Sequence, residues 1–175
     1  MGTMHRRILS LIAASLLVAG CDDNGATSPS SLPLVLSAAL SPANEVPPVA
    51  NDESRGTGAA QITVNVTRDA AGAITGGTAD MYFQVSGFPT NLRVVGAHIH
   101  PGASGITGPA LVSTGLAATA PFVIESGTGE FRVSGVPVGA DTIQALANNP
   151  AGWYFNVHSP LNPGGFARGQ LTRVQ

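Results

Sequence analysis

The sequence predicts an all-β protein: an antiparallel, Greek-key-like β-sandwich of about seven to nine short strands with one short helix. Three observations predict it. The chain of 175 residues carries 22 glycines and 13 prolines with 43% hydrophobic residues, a composition that suits many strands joined by turns and points away from disorder and helix bundles. Apolar and polar residues alternate with period two in several separated runs. Turn signals rich in Gly, Pro, Asn and Asp separate those runs.

The first twenty residues stand outside this pattern. Arg6 and Arg7 precede an apolar run from Ile8 to Gly20, which is too short to span a bilayer unaided and has the layout of an export signal. Val18-Ala19-Gly20-Cys21 resembles the lipobox of bacterial lipoproteins, which implies lipidation of Cys21 and a membrane partner through that lipid. The expected location is the cell envelope, with the protein facing the periplasm or the exterior. The alternative is an ordinary secretory leader with an incidental cysteine. Cys21 is the only cysteine, so no disulfide forms within the chain. Residues 21–32 read as a polar tether that cannot bury enough surface to order itself. The domain is expected over residues 33–175.

Within it, Leu34, Leu36 and Ala38 open a first strand, and the prolines of Asn44-Glu45-Val46-Pro47-Pro48-Val49 then end ladder pairing. Residues 51–58 read as a polar loop in which Asp52 and Glu53 lack partners. Ala60, Ile62, Val64 and Val66 alternate with Gln61, Thr63, Asn65 and Thr67, the signature of a strand with one face in the core. Asp69-Ala70-Ala71-Gly72 turns the chain into a run from Ile74 to Gly87, with Ala79, Met81, Phe83 and Val85 on one side. After Phe88-Pro89-Thr90-Asn91, the residues Val95, Ala97 and Ile99 are predicted inward, opposite Val94, Gly96, His98 and His100. Gly96 is expected to leave open space beside the histidines. Residues 101–109 form a glycine-rich loop near His100. Short strands follow around residues 110–114, 122–124 and 130–134. A helix is predicted over 141–149, with Asp141 capping it and Ile143, Leu146 and Ala147 on its inner side. Trp153, Phe155 and Val157 then point inward while Tyr154, Asn156 and His158 face out, and a last strand runs from Phe166 to Val174.

Charge excludes one class of function. All eight basic residues are arginines, and removal of Arg6 and Arg7 with the leader leaves six against ten carboxylates, a net charge of −4. A chain without a basic cluster cannot neutralise a phosphate backbone, so nucleic acid is not a partner. No Ser-His-Asp set appears at motif spacing, and hydrolysis has no support.

The histidines carry the sharpest signal. Outside the leader only His98, His100 and His158 occur. An H-x-H triplet in a strand puts both imidazoles on one face, about 6.6 Å apart along the chain. His158 ends a second strand-like run, and three neutral imidazoles suit copper or zinc with a fourth position left for water or a carboxylate such as Glu45. Two blander readings stand beside this one: histidines that hydrogen-bond loop carbonyls, and a site for a non-metal ligand. Arg168 either holds an anion near the ion or pairs with Glu45, which would remove Glu45 as a ligand. Asn156, on the face of His158, is placed to orient an imidazole.

Four ordered motifs carry a family resemblance over nearly the whole domain. They are Asn44-Glu45-Val46-Pro47-Pro48; Ala97-His98-Ile99-His100 with Gly102, Gly105 and Gly108-Pro109; Trp153-Tyr154-Phe155-Asn156-Val157-His158; and Pro163-Gly164-Gly165 with Arg168-Gly169-Gln170-Leu171. Together they resemble the CHRD domain, named for its occurrence in chordin and widespread in bacterial secreted proteins. The family usually reads G-E-[IL]-R-G-Q in its last motif, whereas Phe166 stands here in place of the glutamate. The H-x-H strand, glycine-rich loop and later strand histidine look like the copper-site layout of Cu,Zn superoxide dismutases, also antiparallel sandwiches. The bridging and zinc-binding histidines of those enzymes have no counterparts, so a dinuclear site is excluded by count. The resemblance implies a copper (or zinc) cofactor on His98, His100 and His158, for metal handling or redox chemistry. It equally admits a non-enzymatic surface module that binds another protein.

Overall fold

The structure, a computed structural model, describes residues 32–175. The predicted export signal, Cys21 and nearly all of the tether lie outside the described residues.

The described residues form eleven strands and one α-helix, with nine of the strands in two facing antiparallel sheets and two in a separate pair. In chain order they are β1 (Leu34–Leu40), β2 (Thr57–Arg68), β3 (Ile74–Ser86), β4 (Leu92–Val94), β5 (Gly96–Pro101), β6 (Val112–Ser113), β7 (Phe122–Ile124), β8 (Gly129–Val138), α1 (Ala140–Asn148), β9 (Trp153–His158), β10 (Ala167–Gln170) and β11 (Thr172–Arg173). One sheet has the order β11-β1-β2-β3-β8, the other β10-β9-β5-β6, and β4 pairs with β7 alone. Sequence-distant neighbours such as β3–β8, β5–β9 and β1–β11 carry the chain back and forth between layers, in the Greek-key manner the alternation predicts.

The period-two faces meet between the sheets. Leu36, Ile62, Val64, Ala79 and Phe83 from one layer and Ala97, Ile99, Phe155 and Val157 from the other are fully buried. The rings of Phe83 and Phe155, 6.0 Å apart, join the layers directly. Burial of each large side chain contributes roughly 1.5–3 kcal/mol, so this seam holds the sandwich. Ile143 and Leu146 of α1 are also fully buried, and the helix packs on β3.

Several expectations are corrected. The strand count is higher because two predicted strands are divided. Between β4 and β5 the ladder breaks at Val95, so Val94 rather than Val95 is fully buried. The last run crosses between layers at Leu171: β10 pairs with β9, while β11 pairs with β1. The helix begins one residue early, with Gly139 as its cap, and Asp141 lies in the first turn without a side-chain capping bond. The loop predicted over 51–58 is shorter, since β2 starts at Thr57 and Asp52–Arg55 form a 3-10 turn.

Candidate metal centre

Backbone register places the histidines. β5 and β9 are adjacent and antiparallel, with Gly96 opposite His158, His98 opposite Asn156 and His100 opposite Tyr154. β10 extends the rows, with Arg168 beside Asn156 and Gln170 beside Tyr154. Side chains that alternate outward along three neighbouring strands therefore converge on one outer face of the smaller sheet.

On that face one nitrogen from each of His98, His100 and His158 lies within 4.8 Å of the others. Shared coordination at metal–nitrogen distances near 2.0–2.1 Å brings such atoms to about 3–4 Å, so about 1 Å is left to imidazole rotation. The ring centroids are 4.8 Å apart for His98 and His158, and 5.6 and 5.9 Å for the pairs with His100.

Hydrogen bonding fixes which nitrogens are free. His100 Nδ1 is 3.0 Å from the carbonyl of Gly108, and His158 Nδ1 is 3.0 Å from that of Pro163. A carbonyl only accepts, so both Nδ1 atoms carry the proton and both Nε2 atoms present a bare lone pair. Those Nε2 atoms, with His98 Nδ1, are buried and have no protein partner. Backbone carbonyls thus do here what the outer groups of metal sites do: they set the tautomer and hold the ring. The loop-carbonyl bonds of the blander reading are present, and they occupy only one nitrogen of each ring.

Electrostatics keeps the cluster neutral. Burial, then the nearby His158 and His100, lowers the pKa of His98 to about 4. Burial likewise lowers those of His100 and His158 against their carbonyl bonds, with Arg168 opposing the charge on His100 and His100 that on His158. Near neutral pH all three rings are the uncharged donors a metal requires. Gly96 does not leave the open space expected of it. A Cβ there would sit 2.8 Å from His98 Cε1 and 3.5 Å from His158 Cδ2, so the glycine makes room for the rings themselves.

The other predicted residues surround the cluster without joining it. Glu45, 6% exposed, is absent from the ligand cluster and makes no ion pair with Arg168; the only ion pair among the described residues is Arg132–Glu130. It reaches this face because Asn44 Nδ2 donates to the Arg168 carbonyl and Ser41 bridges to Arg168 through the backbone. Burial raises the Glu45 pKa to about 7 against the lowering effects of Arg168 and of Asn156, which donates to it at 3.5 Å. Asn156 Nδ2 donates to the Gly164 carbonyl at 3.0 Å and to no imidazole, so it steadies the loop rather than a ring. Gly165 is required beside them: its φ is +131°, and a Cβ would strike Asn156 and Glu45.

Arg168 is 1% exposed. Its Nη2 donates to the carbonyls of Ala103 (2.9 Å) and Ile106 (2.7 Å) and lies 3.1 Å from Gln170 Oε1. The guanidinium stacks on Tyr154, 3.5 Å from the ring centroid, and Tyr154 stacks on His100 at 4.8 Å with 3° between planes. Its Nη2 is spent on the glycine-rich loop, which covers Tyr154, while Glu45 and the turn at Gly164 and Gly165 cover Asn156; hence both are buried although they face outward.

Tyr154, Gln170 and Glu53 are additions to the sequence reading. The first two carried a signal, since each lies two residues from a predicted site residue on the same strand face. Glu53 did not. Buried to 5% exposure, it accepts from Ser159 Oγ (2.7 Å) and Asn162 Nδ2 (2.6 Å), tying down the loop that supplies the Pro163 carbonyl.

Fold and site together define an antiparallel β-sandwich with a partly buried three-histidine cluster on an outer sheet face. The CHRD domain matches residues 36–171, most of the chain, and the protein belongs to the CHRD domain family. No curated protein and no solved structure matches it.

Proposed function

We propose that the protein is a lipid-anchored component of the cell envelope whose CHRD sandwich holds one metal ion, copper ahead of zinc, on His98, His100 and His158. The role is metal handling or redox chemistry. One observation carries the reading: the tautomer-locked Nε2 atoms of His100 and His158 and Nδ1 of His98 are buried with no protein group to satisfy them, in a cluster where one nitrogen of each ring lies within 4.8 Å of the others. Buried polar atoms are rarely left so, and an ion with nitrogen preference satisfies all three at once. Copper is favoured over zinc by the expected extracytoplasmic compartment and by the likeness to a superoxide dismutase copper site.

In this reading His100 and His158 are held by Gly108 and Pro163, while His98 completes the set. Tyr154 and the loop clamped by Arg168 keep water from the His100 side, and a fourth position is left for substrate or solvent. Bound copper would supply one-electron chemistry there. The test is titration of the intact protein with Cu(II) and with Zn(II). A single sub-micromolar site that is lost in His98→Ala is expected. Binding that survives substitution of all three histidines by alanine, or none in the wild type, leaves the surface-module reading instead. The anchor is tested separately: Cys21→Ser should move the protein from the membrane to the soluble fraction, and unchanged membrane retention refutes lipidation.

A further inference from the structure

Arg168 is a buried cation with no carboxylate in ion-pair contact. The residue is 1% exposed, and the partners of its Nη2 are carbonyl and amide oxygens. It sits on a stack of planar groups that ends at a candidate ligand: guanidinium on Tyr154 at 3.5 Å, and Tyr154 on His100 at 4.8 Å. The ligand cluster contains three imidazoles and no carboxylate. Most sites for divalent cations lower the net charge with acidic or thiolate ligands; this one adds a positive charge to three neutral donors. The nearby Glu45 offsets that charge only in part, because burial opposes its ionisation.

We propose that Arg168, acting across Tyr154 and His100, makes the three-histidine site select by charge, favouring a monovalent ion such as Cu(I) over divalent Cu(II) or Zn(II). The inference rests on the metal reading above and specifies its cargo. The repulsion acts once on a monovalent ion and twice on a divalent one. Across a mostly protein-filled gap, the extra unit of repulsion corresponds to on the order of tenfold in relative affinity. The guanidinium is not an anion-binding group here, because Arg168 is enclosed at 1% exposure and Nη2 is held by loop carbonyls. What it contributes is a fixed field.

The experiment compares Cu(I), held reduced and measured by competition with a chromophoric chelator, with Zn(II) on the intact protein. The variants are Arg168→Met, Arg168→Lys and Ile106→Glu. The last places a carboxylate at an exposed position (59%) on the loop whose carbonyl Arg168 grips, and so tests the field without opening the buried stack. Arg168→Met is expected to shift the Cu(I)-to-Zn(II) affinity ratio about tenfold toward Zn(II), and Ile106→Glu about two- to threefold the same way. Arg168→Lys, which keeps the charge, should hold the ratio near that of the wild type. If Ile106→Glu leaves the ratio unchanged, or Arg168→Lys moves it as far as Arg168→Met does, the selection by charge is overturned while the metal site stands. Failure of the wild type to bind either ion overturns the metal reading itself.

Discussion

At the scale of single residues, the site is a balance of opposed titrations. The pKa of His98 falls from 6.5 to about 4 on folding, and those of His100 and His158 move the same way. Between pH 6.5 and about 4 the unfolded chain therefore binds more protons, and stability drops as the pH falls through that window. Glu45 acts oppositely. Its pKa rises from 4.5 to about 7, so the folded chain holds more protons between those values and gains stability as the pH falls. With three groups against one, the metal-free protein should unfold at lower urea at pH 5 than at pH 7.5, and Glu45→Gln should steepen that loss. A flat profile would mean that the imidazoles are not desolvated as described. Residue identity also explains how much of the site could be read in advance. His98, His100 and His158 stood out because histidines are few and strand period fixes their face. Arg168 makes no ion pair with Glu45, because charge alone does not say that loop carbonyls will take the guanidinium first.

At the scale of elements, the rings are only as well placed as the loops that hold them. His158 is oriented by Pro163, in a turn anchored through Ser159 and Asn162 to Glu53 in the 3-10 turn before β2. Glu53→Ala removes the acceptor of the buried Ser159 hydroxyl and one of the two acceptors of the half-buried Asn162 amide, and should lower stability by about 1–3 kcal/mol in urea unfolding. In the reading proposed here it should also weaken metal binding by about tenfold, measured by titration, because the orienting carbonyl is no longer fixed. Equal metal affinity in the variant would show that the turn holds without Glu53. This network was not legible in the sequence. A lone glutamate in a polar loop looks solvated until a segment over a hundred residues later folds against it. The strands were legible wherever one face is apolar and the other polar. The breaks at Val95 and Leu171 were not: Val95 lies in the apolar stretch 94–97, and at Leu171, between Gln170 and Thr172, the alternation runs on unbroken while the chain changes partner.

At the scale of the whole molecule, the sandwich brings together strands that the chain order keeps apart, and composition and turn spacing were enough to foresee it. Any ligand that binds the folded state alone stabilises all of it, by about 2.7 kcal/mol at a hundredfold excess over Kd. In the reading proposed here, saturation with Cu(II) or Zn(II) should thus raise the unfolding midpoint of the wild type and leave that of His98→Ala unmoved; an equal rise in both would place the ion elsewhere. The crossing at Leu171 has a consequence for assembly. Residues 167–170 border one layer and residues 172–173 border the other, so a single short segment fastens both. A chain that emerges amino-terminus first, from a ribosome or through a membrane, has neither border in place until this clasp is out. Its two earlier histidines must wait for most of the domain before they meet the third, which postpones any capture of an ion until emergence is nearly finished.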